Sequence, residues 1–376
     1  MIKIFAFCTN NLDFNKNKIL DSSIANNFPG AGWIPMLGSL LQKSGFIFLS
    51  GDIALEAIKS NKYKAKDIAI IQEENSTIGN ILLKKGAFPF LIFSGESPLF
   101  ASYFYKNIFK ISKSFKYKFF FKGVYFNNNL EHENFIFYFP SFTNKSSLVY
   151  KSWQSRDILV MVAANKFWKI KEFTIIGEIK QYLRLFRDKF KRNYYTYPPK
   201  IYSEKQLHDK RLELIEYFTK SNILDLYGNG WNNLTNLPKK YHFLTKKLNP
   251  KFSKDKLETI SNYRFSLCIE NMIFPGYVTE KIIDCLKCGV IPIYLGAPDI
   301  EDYIPENLFI DLRSFHDYET LENYLINFSD NLANEFLKNA YNFLNSKQGQ
   351  KFTYEYFSEN IHNLILNYSK NNTSFT

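Results

Sequence analysis

Between Tyr263 and Leu295 the chain reads YRFSLCIENMIFPGYVTEKIIDCLKCGVIPIYL, the densest run of chemistry-bearing residues in the sequence. An apolar run, FSLCI, ends in the polar pair Glu270-Asn271. A loop with Pro275 and Gly276 follows, and Thr279 opens a helix with Glu280 and Lys281 in its first turn. Polar side chains at a strand's carboxyl end and at a helix N-terminus are where an α/β protein holds an anion. Lys281 can meet a phosphate there, and Thr279 can cap the helix. Glu280 also suits the helix dipole on its own. Glu270, closing a buried strand, needs hydroxyl or amide partners, which a sugar or ribose could supply.

The elements that must position these residues follow from apolar periodicity. Buried strands are expected at Ile2 to Cys8, Gly45 to Leu49, Asp67 to Ile71 and Phe88 to Phe93. Others are expected at Ile158 to Ala164, Ile223 to Tyr227, Phe265 to Ile269 and Val290 to Leu295. Helical patterns lie between them, at Thr77 to Lys84, Glu204 to Phe218, Ser253 to Ser261 and Thr279 to Lys287, and Tyr318 to Leu366 is mostly helical. Short apolar runs alternating with helices predict an α/β fold with parallel, doubly wound sheets. Phe115 to Phe126 partly alternates aromatic with Lys, as a strand with one wet face and a hairpin partner at Asn134 to Tyr138. The simplest arrangement is two Rossmann-like halves: residues 1–150 and 151–345, with a helical tail at 346–376 and the turn-rich Asn144 to Gln154 as linker.

Composition narrows the classes. At about 150 residues per domain, 376 residues suggest two or three domains. Hydrophobic residues at 45% and charged residues at 22% exclude a disordered or collagen-like chain. The formal charge of +12 favours an anionic partner. Nine Lys or Arg against three acids fall between Lys166 and Arg192, on a helical pattern with one apolar face. This basic amphipathic insertion, 166–200, could lie on an anionic membrane or simply pack on the domain. Four cysteines are too few for a disulfide framework, and Cys285-x-x-Cys288 without a second pair reads as helix packing. No run reaches the about 18 apolar residues of a membrane span. These features predict a cytoplasmic protein. The five histidines show no ligand spacing, and no nucleic-acid-binding motif accompanies the aromatic-Lys stretch, so no nucleic-acid partner is expected.

The ordered motifs F-x-L-C-x-E-N (Phe265 to Asn271), G-Y-V-T-E-K-I-I-D (Gly276 to Asp284) and I-P-I-Y-x-G (Ile291 to Gly296) resemble the signature of the α-1,3/4-fucosyltransferases, glycosyltransferase family ten, bacterial type. LVMVAAN, ending at Asn165, is similar to the family's apolar strand before an Asn. Arg211 in RLELIEYF resembles its donor-site Arg, and LYGNGW (Leu226 to Trp231) resembles its Gly-rich turn. FSGESP, from Phe93 to Pro98, resembles the family's Glu-Ser-Pro; some relatives have a second Glu just before it, and here Glu96 is the one available. The insertion between Asn165 and Arg211 departs from the pattern.

The resemblance implies two Rossmann-like domains facing across a cleft, the GT-B type, with GDP-fucose in the C-terminal half and the acceptor in the N-terminal half. It implies an inverting transfer to a hydroxyl, O3 of a GlcNAc or Glc unit, of a bacterial surface glycan such as a lipid-linked lipopolysaccharide chain. Glu96 would be the general base. Arg211 and Lys281 would meet the departing diphosphate. Asn165, Glu270, Asn271, Tyr277, Thr279 and Glu280 would line the donor pocket. No D-x-D pair occurs in the chain, and with cations to neutralise phosphate no metal or other cofactor is required. Peripheral residence on the inner face of the cytoplasmic membrane suits the basic surface. Two other readings remain: a related transferase with another nucleotide sugar, and a basic membrane- or nucleic-acid-binding protein on an inactive transferase core.

Overall fold

The computed structural model describes residues 2–125, 133–143, 151–165, 205–231, 237–244 and 255–371. The basic insertion 166–200 lies outside these residues. The chain forms two compact units. One comprises Met1–Glu96, Phe104–Ser146 and Gln350–Thr376; the other comprises Ser97–Tyr103 and Ser147–Gly349.

In the first unit, β1 (Ile4–Cys8), β2 (Ile47–Ser50), β3 (Ile68–Glu73), β4 (Phe88–Phe93), β5 (Tyr117–Phe120) and β6 (Asn134–Ile136) form one sheet in the order β2-β1-β3-β4-β5-β6. Every pairing is parallel. β1 reads IFAFC and is buried throughout, as a strand covered on both faces must be. The expected β5–β6 hairpin is therefore incorrect: Phe119 pairs in parallel with Phe135, and their rings stack at 4.6 Å. Strand direction is set by the path between the strands, which residue alternation does not report.

The core of this unit is aromatic. Trp33 meets Phe93 and Phe357 edge-on at 5.6 and 4.7 Å, the geometry that ring quadrupoles favour. Phe357 belongs to the helix Tyr354–Asn371, where Phe357, Ile361 and Ile365 recur at four-residue steps and are buried. The segment expected as a separate tail, 346–376, thus contains a helix of the first unit. Its apolar face needs a partner to leave water, and it finds one in the sheet-covering aromatics.

In the second unit, β7 (Asp157–Val162), β8 (Leu224–Tyr227), β9 (Tyr263–Ile269), β10 (Ile291–Leu295) and β11 (Ile310–Asp311) form a parallel sheet in the order β11-β10-β9-β7-β8. Counted within each unit, both sheets begin 2-1-3-4-5, so strand order reverses between β1 and β3 and again between β7 and β9. Ligands of open α/β sheets bind outside the carboxyl ends of strands at such reversals. Buried Arg156 anchors the start of β7, donating to the carbonyls of Lys151 at 2.7 Å and Gly289 at 2.6 Å.

The turn after β8 closes on the end of β7. Trp231 Nε1 donates to Ala163 O at 2.7 Å, and Asn165 N to Asn229 O at 2.8 Å. Gly228 has φ +132°, and a Cβ there would stand 2.1 Å from the Ala163 carbonyl oxygen. Gly228→Ala combines backbone strain with that clash, so unfolding by denaturant should show a loss of roughly 1–3 kcal/mol or more. Wild-type stability would show that this turn is not built as described.

Candidate active site

The carboxyl end of β9 carries the site. Glu270 is fully buried, and its N–H donates to Leu295 O at 2.8 Å. Its carboxylate accepts from Thr279 N at 3.0 Å, from Thr279 Oγ at 2.7 Å and from Lys281 Nζ at 2.7 Å. Gly296 makes room for it: a Cβ there would lie 2.5 Å from Glu270 Cγ. Glu270 is thus the buried counter-ion of Lys281, and its oxygens are already supplied with donors; it does not line an open pocket. Thr279 stands at the N-cap of the helix Glu280–Lys287, but its hydroxyl serves Glu270 and makes no capping bond. The expected side-chain cap is not made, because the hydroxyl's accepting side takes a proton from Lys281 Nζ instead of from a helix N–H.

Lys281 Nζ also donates to Thr279 Oγ at 2.9 Å. An ammonium has three protons, so two are used and the third remains for a ligand. Its side chain is 18% exposed, enough to meet one.

Arg211, on the helix His208–Lys220, is buried beside this network. Nε and Nη2 donate to Ile269 O at 3.2 and 2.6 Å, and Nη2 to Asn271 Oδ1 at 3.0 Å. Asn271 Nδ2 donates in turn to Tyr277 Oη at 3.1 Å. Burial pushes the Arg211 guanidinium below its ordinary value, against the pull of Glu270. Among the described residues, Nη1 has no hydrogen-bond partner. The Tyr277 loop is held by Gly276, whose N–H donates to Asp299 Oδ1 at 2.8 Å and whose φ is +73°.

Glu280 is held ionised. Burial pushes its carboxyl up, but Lys281 and Lys256 pull it down to about 2. Lys256 Nζ lies 3.4 Å from Glu280 Oε1 and 2.7 Å from Asp284 Oδ2. An ionised, part-buried carboxylate beside a cationic site can accept sugar hydroxyls. Sequence reasoning missed Lys256, because pairing over 24 residues leaves no local pattern. Among the described residues, no three His, Cys, Asp or Glu side chains gather as metal ligands, and no helix is long and apolar enough to cross a membrane. Cys285, on the helix Glu280–Lys287, and Cys288, at its C-cap, are buried, and Cys285 Sγ lies 3.3 Å from Cys268 Sγ.

The structure brings Arg211, Glu270, Asn271, Tyr277, Thr279, Glu280 and Lys281 into one cluster. Asn165 sits at the end of the neighbouring β7, with Nδ2 donating to Gly230 O at 3.2 Å. Glu96 belongs to the first unit, exposed just after β4. There it joins two carboxylates that sequence reasoning overlooked, Glu73 and Glu74. Ser94 Oγ donates to Glu74 Oε1 at 2.9 Å, and Thr9 Oγ to Glu73 Oε2 at 2.5 Å. Burial, then the charges of Glu73 and Glu96, push the Glu74 carboxyl up to about 8. Glu74 also takes φ +50°, rare for a non-glycine residue.

Comparison with known proteins bears on this geometry. A family model described as glycosyltransferase family 10 (fucosyltransferase) C-term matches residues 198–341. Alpha-(1,3)-fucosyltransferase B of Drosophila melanogaster is 32% identical over 161 residues, 41% of this chain and 33% of that protein. Alpha-(1,3)-fucosyltransferase FucT of Helicobacter pylori is 37% identical over 107 residues, 28% of this chain and 22% of that protein. The match thus spans a third or less of the length of these relatives. A crystal structure of an α1,3-fucosyltransferase with GDP superposes with TM-score 0.51 at 15% identity, covering 94% of this chain and 86% of that one. A glycosyltransferase from Rickettsia africae superposes with TM-score 0.55 at 11% identity, covering 97% and 98%. These likenesses concern the fold, that of GT-B glycosyltransferases built from two parallel-sheet units. The Glu270–Lys281 cluster falls inside residues 198–341, the segment that matches the C-terminal model of glycosyltransferase family 10.

Proposed function

We propose that this chain is an inverting fucosyltransferase that moves fucose from GDP-fucose to a hydroxyl of a glycan. One observation carries the reading. Two cations, Lys281 and Arg211, are pre-positioned at the carboxyl end of β9, inside the segment that matches the family model. In the reaction the acceptor oxygen attacks the anomeric carbon, the bond from that carbon to the diphosphate oxygen breaks, and the acceptor's proton leaves to a base. Charge grows on the departing GDP as the sugar becomes oxocarbenium-like. Lys281, with its remaining proton, and Arg211, through Nη1, would meet that charge. Glu280 and Tyr277 would hold hydroxyls of the nucleotide sugar, with Asn271 and Asn165 beside them. Glu270 and Thr279 would act through Lys281. Glu96, exposed after β4, would take the proton.

Metal independence belongs to this reading, because the diphosphate charge is met by side chains. So do an acceptor among bacterial surface glycans, attacked at O3 of a GlcNAc or Glc unit, and work at the inner face of the cytoplasmic membrane, which suits the +12 charge.

Three outcomes test it. GDP and GDP-fucose should raise the melting temperature of the chain, equally with and without EDTA, whereas UDP-galactose should not. A response to UDP-sugars alone would move the assignment to another donor. Lys281→Ala and Arg211→Ala should each lower kcat/KM by a hundredfold or more, about 3 kcal/mol of transition-state stabilisation, and should weaken GDP binding. Glu96→Gln should abolish transfer and leave GDP-fucose affinity within a factor of about two of wild type; undiminished transfer would remove Glu96 as the base.

A further inference from the structure

The strands of the first unit run parallel, so their amino ends share one edge, opposite the ends that carry Glu73, Glu74 and Glu96. That edge is lined with lysine. Along the sheet order β2-β1-β3-β4-β5 the chain enters each strand past an exposed lysine: Lys43, Lys3, Lys66, Lys85 and Lys113 in turn. At about 4.8 Å between neighbouring strands, the row spans about 19 Å. Exposed Lys59, Lys62 and Lys64 thicken it before β3, and Lys84 before β4. Among the described residues none of the five lysines in the row forms an ion pair. Two acids share the edge: half-buried Asp67, and Glu133, which Lys116 already pairs at 3.2 Å.

The helix dipole does not account for the row. Lys43 and Lys84 stand in last helical turns, where a cation is favoured. Lys62, Lys64 and Lys66, however, lie beyond the end of the helix Gly51–Lys59. The second unit offers a contrast within the same molecule, because its strands are parallel too. There β9 is entered past Asn262, β10 past Gly289 and β11 past Glu306. Lysine use spread evenly over the chain would mark both edges alike.

The chemistry of the row selects a partner. Residues 1–146 and 350–376 contain no arginine, so the forked donor best suited to gripping single phosphates of a nucleic acid is missing. Lysine is a point charge on a flexible stem, which suits a diffuse layer of anionic headgroups. Apolar side chains stand among these lysines. Phe109 is 64% exposed on the short helix that leads into β5, four residues before Lys113 and on the same helical face. Ile47, at the start of β2, is 40% exposed. Such side chains can enter the boundary of a bilayer while the ammonium groups stay among the headgroups.

We propose that the amino edge of the first sheet is a docking surface for an anionic lipid bilayer. This surface is separate from the basic insertion 166–200 and does not depend on the donor assignment. Docking by this edge leaves the opposite, carboxyl ends of the strands open to ligands.

The test is co-sedimentation of the full chain with vesicles of phosphatidylcholine, alone or mixed with phosphatidylglycerol. Wild type should bind only the anionic vesicles at about 0.1 M salt and leave them at about 1 M, as the screening length falls from about 10 Å to about 3 Å. Lys43→Glu, Lys66→Glu, Lys85→Glu and Lys113→Glu together should weaken binding by about tenfold or more. The same reversal at exposed lysines of the second unit, Lys220, Lys239, Lys240 and Lys338, should weaken it by about threefold or less. Acetylation footprinting of the unaltered chain gives a reading that no variant's folding can disturb. Anionic vesicles should protect the edge lysines and leave Lys220 and Lys338 reactive. No binding to anionic vesicles, equal binding by the folded edge variant, equal loss in the two variants, or a uniform footprint overturns the proposal. Binding to duplex DNA without binding to vesicles also overturns it, and would give the edge to nucleic acid. The GDP melting shift should be the same in wild type and the edge variant, so that loss of docking and loss of donor binding are read apart.

Discussion

A carboxylate with no exposure to water must be neutralised, and in the second unit that constraint organises the site. Glu270 ends β9 in full burial. Its charge is met by one ammonium, one hydroxyl and one backbone N–H. Removing one partner of such a pair costs about 3–5 kcal/mol, because the other charge is left buried and unmatched. The constraint reaches outward through neighbours. Gly296 must lack a side chain to admit Glu270. Thr279 gives up its capping role. Lys281 is drawn to the mouth of the sheet with one proton unused. A cation fixed in this way needs little reorganisation when an anion arrives, which is the condition under which electrostatic stabilisation of a leaving group is strongest.

The same sheet logic operates in both units. Each reverses its strand order beside its first strand, and each gathers carboxylates at the carboxyl ends there. The chemistry differs between them. In the second unit Glu270 and Glu280 are matched by Lys281 and Lys256, and the donors still open on Lys281 and Arg211 suit an anion such as a diphosphate. In the first unit burial, with like charge from Glu96 added to it, raises the proton affinity of Glu73 and Glu74. One arrangement suits a departing phosphate; the other suits a hydroxyl that must give up a proton. A single fold thus supplies opposite electrostatics from its two copies.

Much of this was legible in the sequence, for identifiable reasons. Buried parallel strands are unbroken apolar runs, so IFAFC and FSLCI declared themselves to within a few residues. The helix Thr77–Lys84 has the bounds its sequence pattern predicts, since it is bracketed by Ser76 as N-cap and by Gly86. The cluster from Glu270 to Lys281 was legible because its members are close in sequence and a turn joins them. What escaped depends on contacts across long separations. Lys256 reaches Glu280 and Asp284 from another helix. Glu73 and Glu74 meet Glu96 because β3 and β4 are neighbours. The direction of β6 and the return of the helix Tyr354–Asn371 to the first unit are likewise properties of chain path. The position of Glu270 at a strand end was readable, whereas its complete burial was not. Its role therefore changes from pocket lining to counter-ion.

The most direct measurement is a crystal structure of the chain with GDP bound. If Lys281 and Arg211 receive the leaving group, diphosphate oxygens will lie within hydrogen-bond distance of Lys281 Nζ and Arg211 Nη1, with the Lys281–Glu270 contact retained. GDP seated away from the carboxyl end of β9, or bound with Lys281 still turned wholly toward Glu270 and Thr279, would contradict that role.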